Sequence, residues 1–337
     1  MIRCMLQGRP LYDTPTDHRY FVAPPQWETI RRTLARGNNV LIHGERGLGK
    51  TTMLRQLELA LREEDQPAVF VDAAGVAEPL ELVNRVRDAL TGRPGTLRSR
   101  GSVTATFVND PSPPPAGASR QLQDTLIGLA DDDVPATTIL VDASASPHAL
   151  YGVFGRMRDT VWQLPHHWVV TIDDGDYATA LAPPADAFFD TTIALQRRSA
   201  HDLREILERR TDELPRETQV QIAEDARGNP RTAIRAANET LVNGEDATAS
   251  LGERARLVDR ASGLGRPHAQ LMAELLDLGQ ASPSDETLLD RLGLKRARVN
   301  TLLQQLHDAG LVNSAVERSD GPGRPRTIYR PTLHADR

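Results

Sequence analysis

Two hydrophobic rhythms follow one another along this chain. Between residues 38 and 196, short unbroken apolar runs alternate with stretches in which apolar residues recur every three or four positions. The runs NNVLIHG (38–44), PAVFVDA (67–73), TTILVDA (137–143), HWVVTID (167–173) and DTTIALQ (190–196) predict strands. Unbroken apolar runs of this length suit strands buried on both faces. TTMLRQLELALREE (51–64), PLELVNRVRDAL (79–90) and ALYGVFGRMRDTVWQL (149–164) carry helical spacing. Strands alternating with helices predict an α/β fold, a parallel sheet with helices on both faces.

Beyond residue 197 the first rhythm stops. SAHDLREILERRTDEL (199–214) reads as a helix with Ser199 as N-cap. Residues 217–244 read as two helices broken at GNP, with Gly228 ending the first and Pro230 in the first turn of the second. Helical patterns at 268–279, 283–294 and 295–312 follow, and 313–332 alternates apolar and polar residues around a Gly/Pro turn, as a hairpin does. Helix, helix–turn–helix and hairpin outline a winged helix. The expected organisation is a core over 1–196, a helical block over 197–262 and a winged helix-turn-helix domain over 266–337. A Gly-, Pro-, Ser- and Thr-rich stretch at about 91–119 predicts a long surface insertion, a flexible loop by composition. Its Arg93, Arg98 and Arg100 are candidates for a partner or nucleic-acid contact.

Composition narrows the classes. With 39% hydrophobic and 26% charged residues the chain has the make-up of a soluble globular protein. It contains no apolar run of about 18 residues, so no membrane span is expected. The first residues lack the apolar segment of a secretory signal. Cys4 is the one cysteine, which excludes an intramolecular disulfide and a cysteine zinc cluster. These features predict a cytoplasmic protein.

Charge changes the picture locally. The chain carries a net charge of −6, yet residues 291–330 hold eight Lys/Arg against three Asp/Glu. A basic patch on an acidic protein is an electrostatic footprint for nucleic acid. Lys295, Arg296, Arg298 and Asn300 open the second helix of the predicted helix–turn–helix, where early residues meet base edges. Arg324 and Arg326 sit at the hairpin tip, suited to a minor groove or phosphates. Double-stranded DNA is the expected partner.

The sharpest chemistry lies in HGERGLGKTT (43–52). Gly44, Gly49, Lys50 and Thr51 satisfy G-x-x-x-x-G-K-[ST], between a predicted strand and a predicted helix. Loop N–H groups from Glu45, Arg46, Gly47, Leu48 and Gly49, with Lys50, Thr51 and Thr52, would surround nucleotide phosphates. The implied ligands are ATP and Mg2+, the metal held by Thr51 and by Asp142 at the end of the third strand. Many such ATPases place glutamate next; here it is Ala143. Hydrolysis needs a group to orient water or take its proton, and Asp173, Asp174 and Glu45 are the candidates. Thr171 is a candidate contact to the γ-phosphate.

NNVLIHGERGLGKTT, TTILVDA, HWVVTID and GNPR, in that order and before a winged helix, resemble the AAA+ ATPases related to the origin recognition complex and its archaeal relatives. STAND-type signalling ATPases share much of the plan. The resemblance spans about residues 20–335 and implies a P-loop NTPase sheet, a helical lid over 197–262 and a winged helix. It implies that Arg231 reaches the γ-phosphate from the lid, acting with Lys50 and Asp142, and that Phe21 and Val22 line the adenine pocket. Two departures stand against fast turnover: Ala143, and a stretch at 180–195 without the arginine finger of ring-forming relatives. Arg156 or Arg158 is the nearest substitute, although surface ion pairing suits both better. The expectation is an ATP-binding, nucleotide-switched DNA-binding protein of regulator or initiator type with slow or conditional hydrolysis. The alternatives are an ATP-driven oligomerising sensor of the STAND kind and a ring-forming loader. A second copy of the chain, or a protein of the same operon, is the expected protein partner.

Overall fold

The structure, a computed structural model, describes residues 6, 9–11, 15–73, 75–92, 116–130, 134–143, 146–243, 246–317 and 326–332. It comprises two compact units, residues 10–196 and residues 197–337 with 1–9.

The first unit runs α1 (Pro15–Arg19), α2 (Trp27–Leu34), β1 (Val40–Gly44), α3 (Lys50–Glu63), β2 (Ala68–Asp72), α4 (Pro79–Leu90), α5 (Ala116–Ile127), β3 (Thr138–Asp142), α6 (Pro147–Leu150), α7 (Arg158–Val161), β4 (His167–Asp173), α8 (Tyr177–Ala180) and β5 (Thr191–Ala194). The five strands form one parallel sheet in the order β2-β3-β4-β1-β5. Successive side chains of each strand go to opposite faces and both faces are apolar. Leu41, Ile139, Val141, Trp168 and Val170 pack with α4, α5 and the aromatic cluster of Phe154, Phe188 and Phe189. Val40, Ile42, Leu140 and Val169 pack on the other side with Ile30 of α2 and Met53, Leu54 and Leu57 of α3. Burial on both faces is why these strands read as continuous apolar runs.

The helix expected over 149–164 is interrupted. A π-helical turn at Tyr151–Arg156 separates α6 from α7. Gly152 explains the break: a Cβ there would lie 2.1 Å from Pro79 Cγ, so the backbone touches the start of α4. The wider turn and a residue without a side chain accommodate that approach. Of the expected insertion, residues 93–115, with Arg93, Arg98 and Arg100, lie outside the described residues. Its end is helical, because α5 begins at Ala116.

The second unit contains α9 (Ala200–Glu208), α10 (Arg216–Asp225), α11 (Pro230–Asn243), α12 (Asp246–Ser262), α13 (Arg266–Leu278), α14 (Glu286–Leu292), α15 (Arg296–Asp308), β6 (Val312–Glu317) and β7 (Arg326–Pro331). Ser199 and Asp202 form a reciprocal capping box at the start of α9. Gly228, at φ 82, closes the turn between α10 and α11. The last turns of α12 carry Leu257 and Ala261 into a core made by Leu271 and Leu275 of α13, Leu288 of α14, Val299, Leu302 and Leu306 of α15, and Tyr329 of β7. β6 and β7 pair antiparallel from Val312↔Pro331 to Glu317↔Arg326. Ala281, between α13 and α14, adds an antiparallel bridge to Tyr329. Among the described residues no helix is long and apolar enough to cross a membrane.

Candidate functional site

The carboxyl ends of the parallel strands gather the polar groups. β1 ends at Gly44, a loop follows, and α3 opens at Lys50. Gly49 is at φ 92, a left-handed conformation that glycine adopts without a Cβ penalty, and it turns the chain into the helix. Leu48, 2% exposed, anchors the loop in the apolar cluster beside Ile30 and Met53. The free N–H groups and positive dipole end of a 14-residue helix therefore face the loop, an arrangement that favours anions.

Parallel register supplies the second half of the site. Asp142 of β3 lies opposite Thr171 of β4, and Asp173 lies opposite Gly44. Thr51 Oγ1 donates to Asp142 Oδ2. Thr171 Oγ1 donates to Asp142 Oδ1 at 3.0 Å. All three groups are buried or half-buried, and Thr171 is fully enclosed. Lys50 Nζ, 5% exposed, donates to Gly44 O at 2.9 Å and Glu45 O at 3.0 Å and pairs with Asp173 Oδ1 at 2.6 Å. Asp174 belongs to a separate cluster: its carboxylate meets His43 Nδ1 at 2.7 Å, and the His43 ring lies 4.5 Å from that of Tyr177.

These residues fit a nucleotide with its magnesium. Magnesium prefers oxygen ligands and is commonly bound by one or two carboxylates plus substrate phosphates. The hydrogen-bonded Thr51 hydroxyl and Asp142 carboxylate place two such oxygens side by side at the mouth of the loop. Among the described residues there is no group of three or more His, Cys, Asp or Glu that could hold a metal alone, and a phosphate-bridged magnesium does not require one.

The other candidate residues are placed as follows. Glu45 and Arg46 are exposed on the loop and Gly47 is half-exposed. Thr52 Oγ1 accepts from the Leu11 N–H at 3.2 Å, which ties α3 to the N-terminal segment. Phe21 packs edge-on against Trp27 at 5.1 Å, and Val22 is buried. Ala143 is fully buried in the apolar cluster, and its N–H donates to Thr171 O at 3.1 Å. Arg156 lies over the Tyr151 ring, and Arg158 lies over Trp162 and pairs with Asp159 at 3.2 Å. In the second unit, Arg231 is exposed at the second residue of α11. Lys295 is the N-cap of α15, with Arg296 and Arg298 exposed and Asn300 half-buried. Arg326 is exposed at the start of β7, and Arg324 lies outside the described residues.

Sequence reasoning missed that Lys50 already has a carboxylate partner. The signal present was the Asp173–Asp174 doublet directly after an apolar run. Thr301 and Gln304 are also exposed on α15, at helical spacing from Ala297.

Residues 33–151 match the family model described as AAA domain. No curated protein sequence matches the chain significantly. Among solved structures, the Aeropyrum pernix ORC1 protein in complex with DNA is 18% identical, over 93% of this chain and 90% of that one, at a TM-score of 0.50. The Aeropyrum pernix ORC2 protein, in ADPNP and ADP complexes, is 17% identical over 95% and 94%, at 0.46. The Thermotoga maritima RuvB Holliday junction branch migration motor is 14% identical over 91% and 93%, at 0.44. Residues 33–151, from the end of α2 to the end of α6, are thus similar to an AAA domain, and the five-stranded sheet has the P-loop NTPase fold that ORC1 shows.

Proposed function

We propose that the protein is an ATP-binding, nucleotide-switched DNA-binding protein of regulator or initiator type. The observation that carries the nucleotide half is the convergence of Lys50, Thr51, Asp142 and Thr171 at the strand ends. In this reading the loop N–H groups and Lys50 hold the phosphates, and Thr51 and Asp142 hold magnesium. Magnesium held by Thr51 and Asp142 would supply positive charge to offset that of the phosphates. The resemblance to the ORC-related ATPases assigns Arg231 to the γ-phosphate and Phe21 and Val22 to the base. Whether ATP or ADP is bound then sets the affinity for DNA, which is the switch.

The DNA half is supported by α13, α14, α15 and the β6–β7 hairpin, read as a winged helix with α15 in the major groove. Its exposed Arg296, Arg298, Thr301 and Gln304 face outward from a helix whose apolar side is buried. The ORC1 relative was solved in complex with DNA, which favours the same partner here. Slow or conditional hydrolysis follows from Ala143, which has no side-chain group to handle water.

Fluorescence anisotropy of the full chain with labelled duplex DNA tests this reading. Binding should weaken linearly in log–log form with salt, and its Kd should differ between ATP and ADP. Identical curves with both nucleotides would remove the switch, and no binding at low salt would remove the DNA partner. Arg298→Ala should lower affinity and reduce the salt slope by about one.

A further inference from the structure

The loop lysine is fully engaged. An ammonium has three donors, and Lys50 Nζ faces three acceptors: Gly44 O at 2.9 Å, Glu45 O at 3.0 Å and Asp173 Oδ1 at 2.6 Å. A phosphate oxygen can reach this nitrogen only in place of one of them. The two carbonyls belong to the backbone of the loop, whose shape depends on them. The Asp173 carboxylate is on a rotatable side chain, one quarter exposed at the end of β4. It is therefore the acceptor that yields.

The geometry points to Asp173 as an internal stand-in for phosphate on Lys50 and as the carboxylate that receives the proton of the attacking water once ATP has displaced it. This rests on the reading that the loop binds ATP. Strand alternation places Asp173 on the same face of β4 as Thr171, two residues earlier, and Thr171 holds Asp142 at 3.0 Å. Asp173 thus holds the lysine from the strand face that also carries Thr171, the partner of Asp142. The other candidates are less well placed. Asp174 is held by His43 at 2.7 Å, Glu45 projects from the exposed loop, and Ala143 lies in the apolar core. In hydrolysis the water oxygen bonds to the γ-phosphorus as the bond from that phosphorus to the β–γ bridging oxygen breaks. The electron pair of that bond stays with ADP, and the water proton goes to Asp173 and then to solvent.

The two roles predict opposite effects from one substitution. Calorimetric titration of the full chain with ATP and magnesium should show Asp173→Asn binding more tightly, by about tenfold, because an uncharged amide competes less well for an ammonium. Single-turnover hydrolysis by the same variant should fall about 100-fold, the low end of what a general base contributes. Asp173→Ala should repeat both effects, and Asp174→Asn should leave both within about twofold. Unchanged or weaker ATP binding by Asp173→Asn and Asp173→Ala would overturn the stand-in role. Undiminished hydrolysis by the two variants, or no hydrolysis by the unaltered protein, would overturn the proton-acceptor role. ATP binding that is absent from the unaltered protein, or that survives Lys50→Ala, would instead overturn the underlying nucleotide reading.

Discussion

The two units use charge in contrasting ways. At the strand ends of the first, Lys50 and Asp142 are 5% and 8% exposed, and each meets its partners in one enclosed arrangement. In the second, an alternating chain of exposed and half-exposed side chains crosses four helices. Arg254 of α12 meets Glu239 of α11 at 3.5 Å, and Glu239 meets Arg235 of the same helix at 3.1 Å. Arg235 pairs with Asp277 of α13, which also holds Arg291 of α14 at 3.0 Å, and Arg291 reaches Glu274 at 3.2 Å. Isolated pairs of this kind contribute about 0–1 kcal/mol each, and salt screens them. Buried polar groups behave otherwise, because removing one partner leaves an unsatisfied charge in a low dielectric. The first unit keeps these charges enclosed among buried partners. The second uses charge to tie helices together.

Single substitutions in each unit test that contrast. The largest effect is expected from Lys50→Ala, which should weaken ATP binding about 100-fold by titration calorimetry, the upper range for charge-assisted hydrogen bonds. A variant that keeps full affinity would overturn the reading of the loop as the ATP site. Thr171→Val keeps the shape but removes a buried donor to Asp142, and should lower stability by about 1–3 kcal/mol in urea denaturation. That loss should persist at 1 M NaCl. Asp277→Ala removes the acceptor shared by Arg235 and Arg291, and should cost about 1 kcal/mol or less at low salt and nothing measurable at 1 M. A salt-independent loss there would dissolve the distinction between the units.

The smallest effect concerns pH. His166 is buried in the first unit, where Nδ1 accepts from the Thr137 N–H at 3.3 Å and Nε2 donates to Leu129 O at 2.9 Å. Burial chiefly, and the neighbouring His167, hold its pKa below the ordinary 6.5, with the Leu129 carbonyl opposing them. The unfolded chain therefore binds the proton more readily, so stability is lost as pH falls below 6.5. In the second unit, a hydrogen bond from Arg227 lowers the pKa of the exposed Asp259 below 3.8, so its contribution is retained above 3.8 and lost only below it. Hydrogen exchange near pH 5.5 should show the first unit loosening before the second, with the difference reduced in His166→Gln. Simultaneous loosening would mean that His166 does not set the order.

Much of this was legible because it is local. The runs at 38–44, 67–73, 137–143, 167–173 and 190–196 became β1 to β5, since burial on both faces demands unbroken apolar sequence. The N-cap at Ser199 and the turn at Gly228 were likewise readable from neighbours in sequence, whereas the reciprocal bond from Asp202 emerged only in the structure. The π turn at 151–156 was not, because its cause is the approach of Gly152 to Pro79, 73 residues away. Nor was the passage of α12 into the core of the following helices, which depends on packing of Leu257 and Ala261 against α13 and α15 rather than on periodicity.

The glycine loop was encoded locally, because contiguous residues from Gly44 to Thr51 contain the turn, the lysine and the hydroxyl of the proposed phosphate site. The sequence by itself also determined that position 143 has no acid and that the positive charge gathers near the C-terminus. Only the tertiary structure decided which carboxylate answers Lys50. Asp142, Asp173 and Asp174 all follow apolar runs and look alike in one dimension. The strand order puts β4 between β3 and β1, and the parallel register sets Thr171 against Asp142 and Asp173 against Gly44. Strand alternation then sends Asp173 to the lysine and Asp174 to His43. Those pairings join residues more than 120 positions apart, and no periodicity within one segment encodes them.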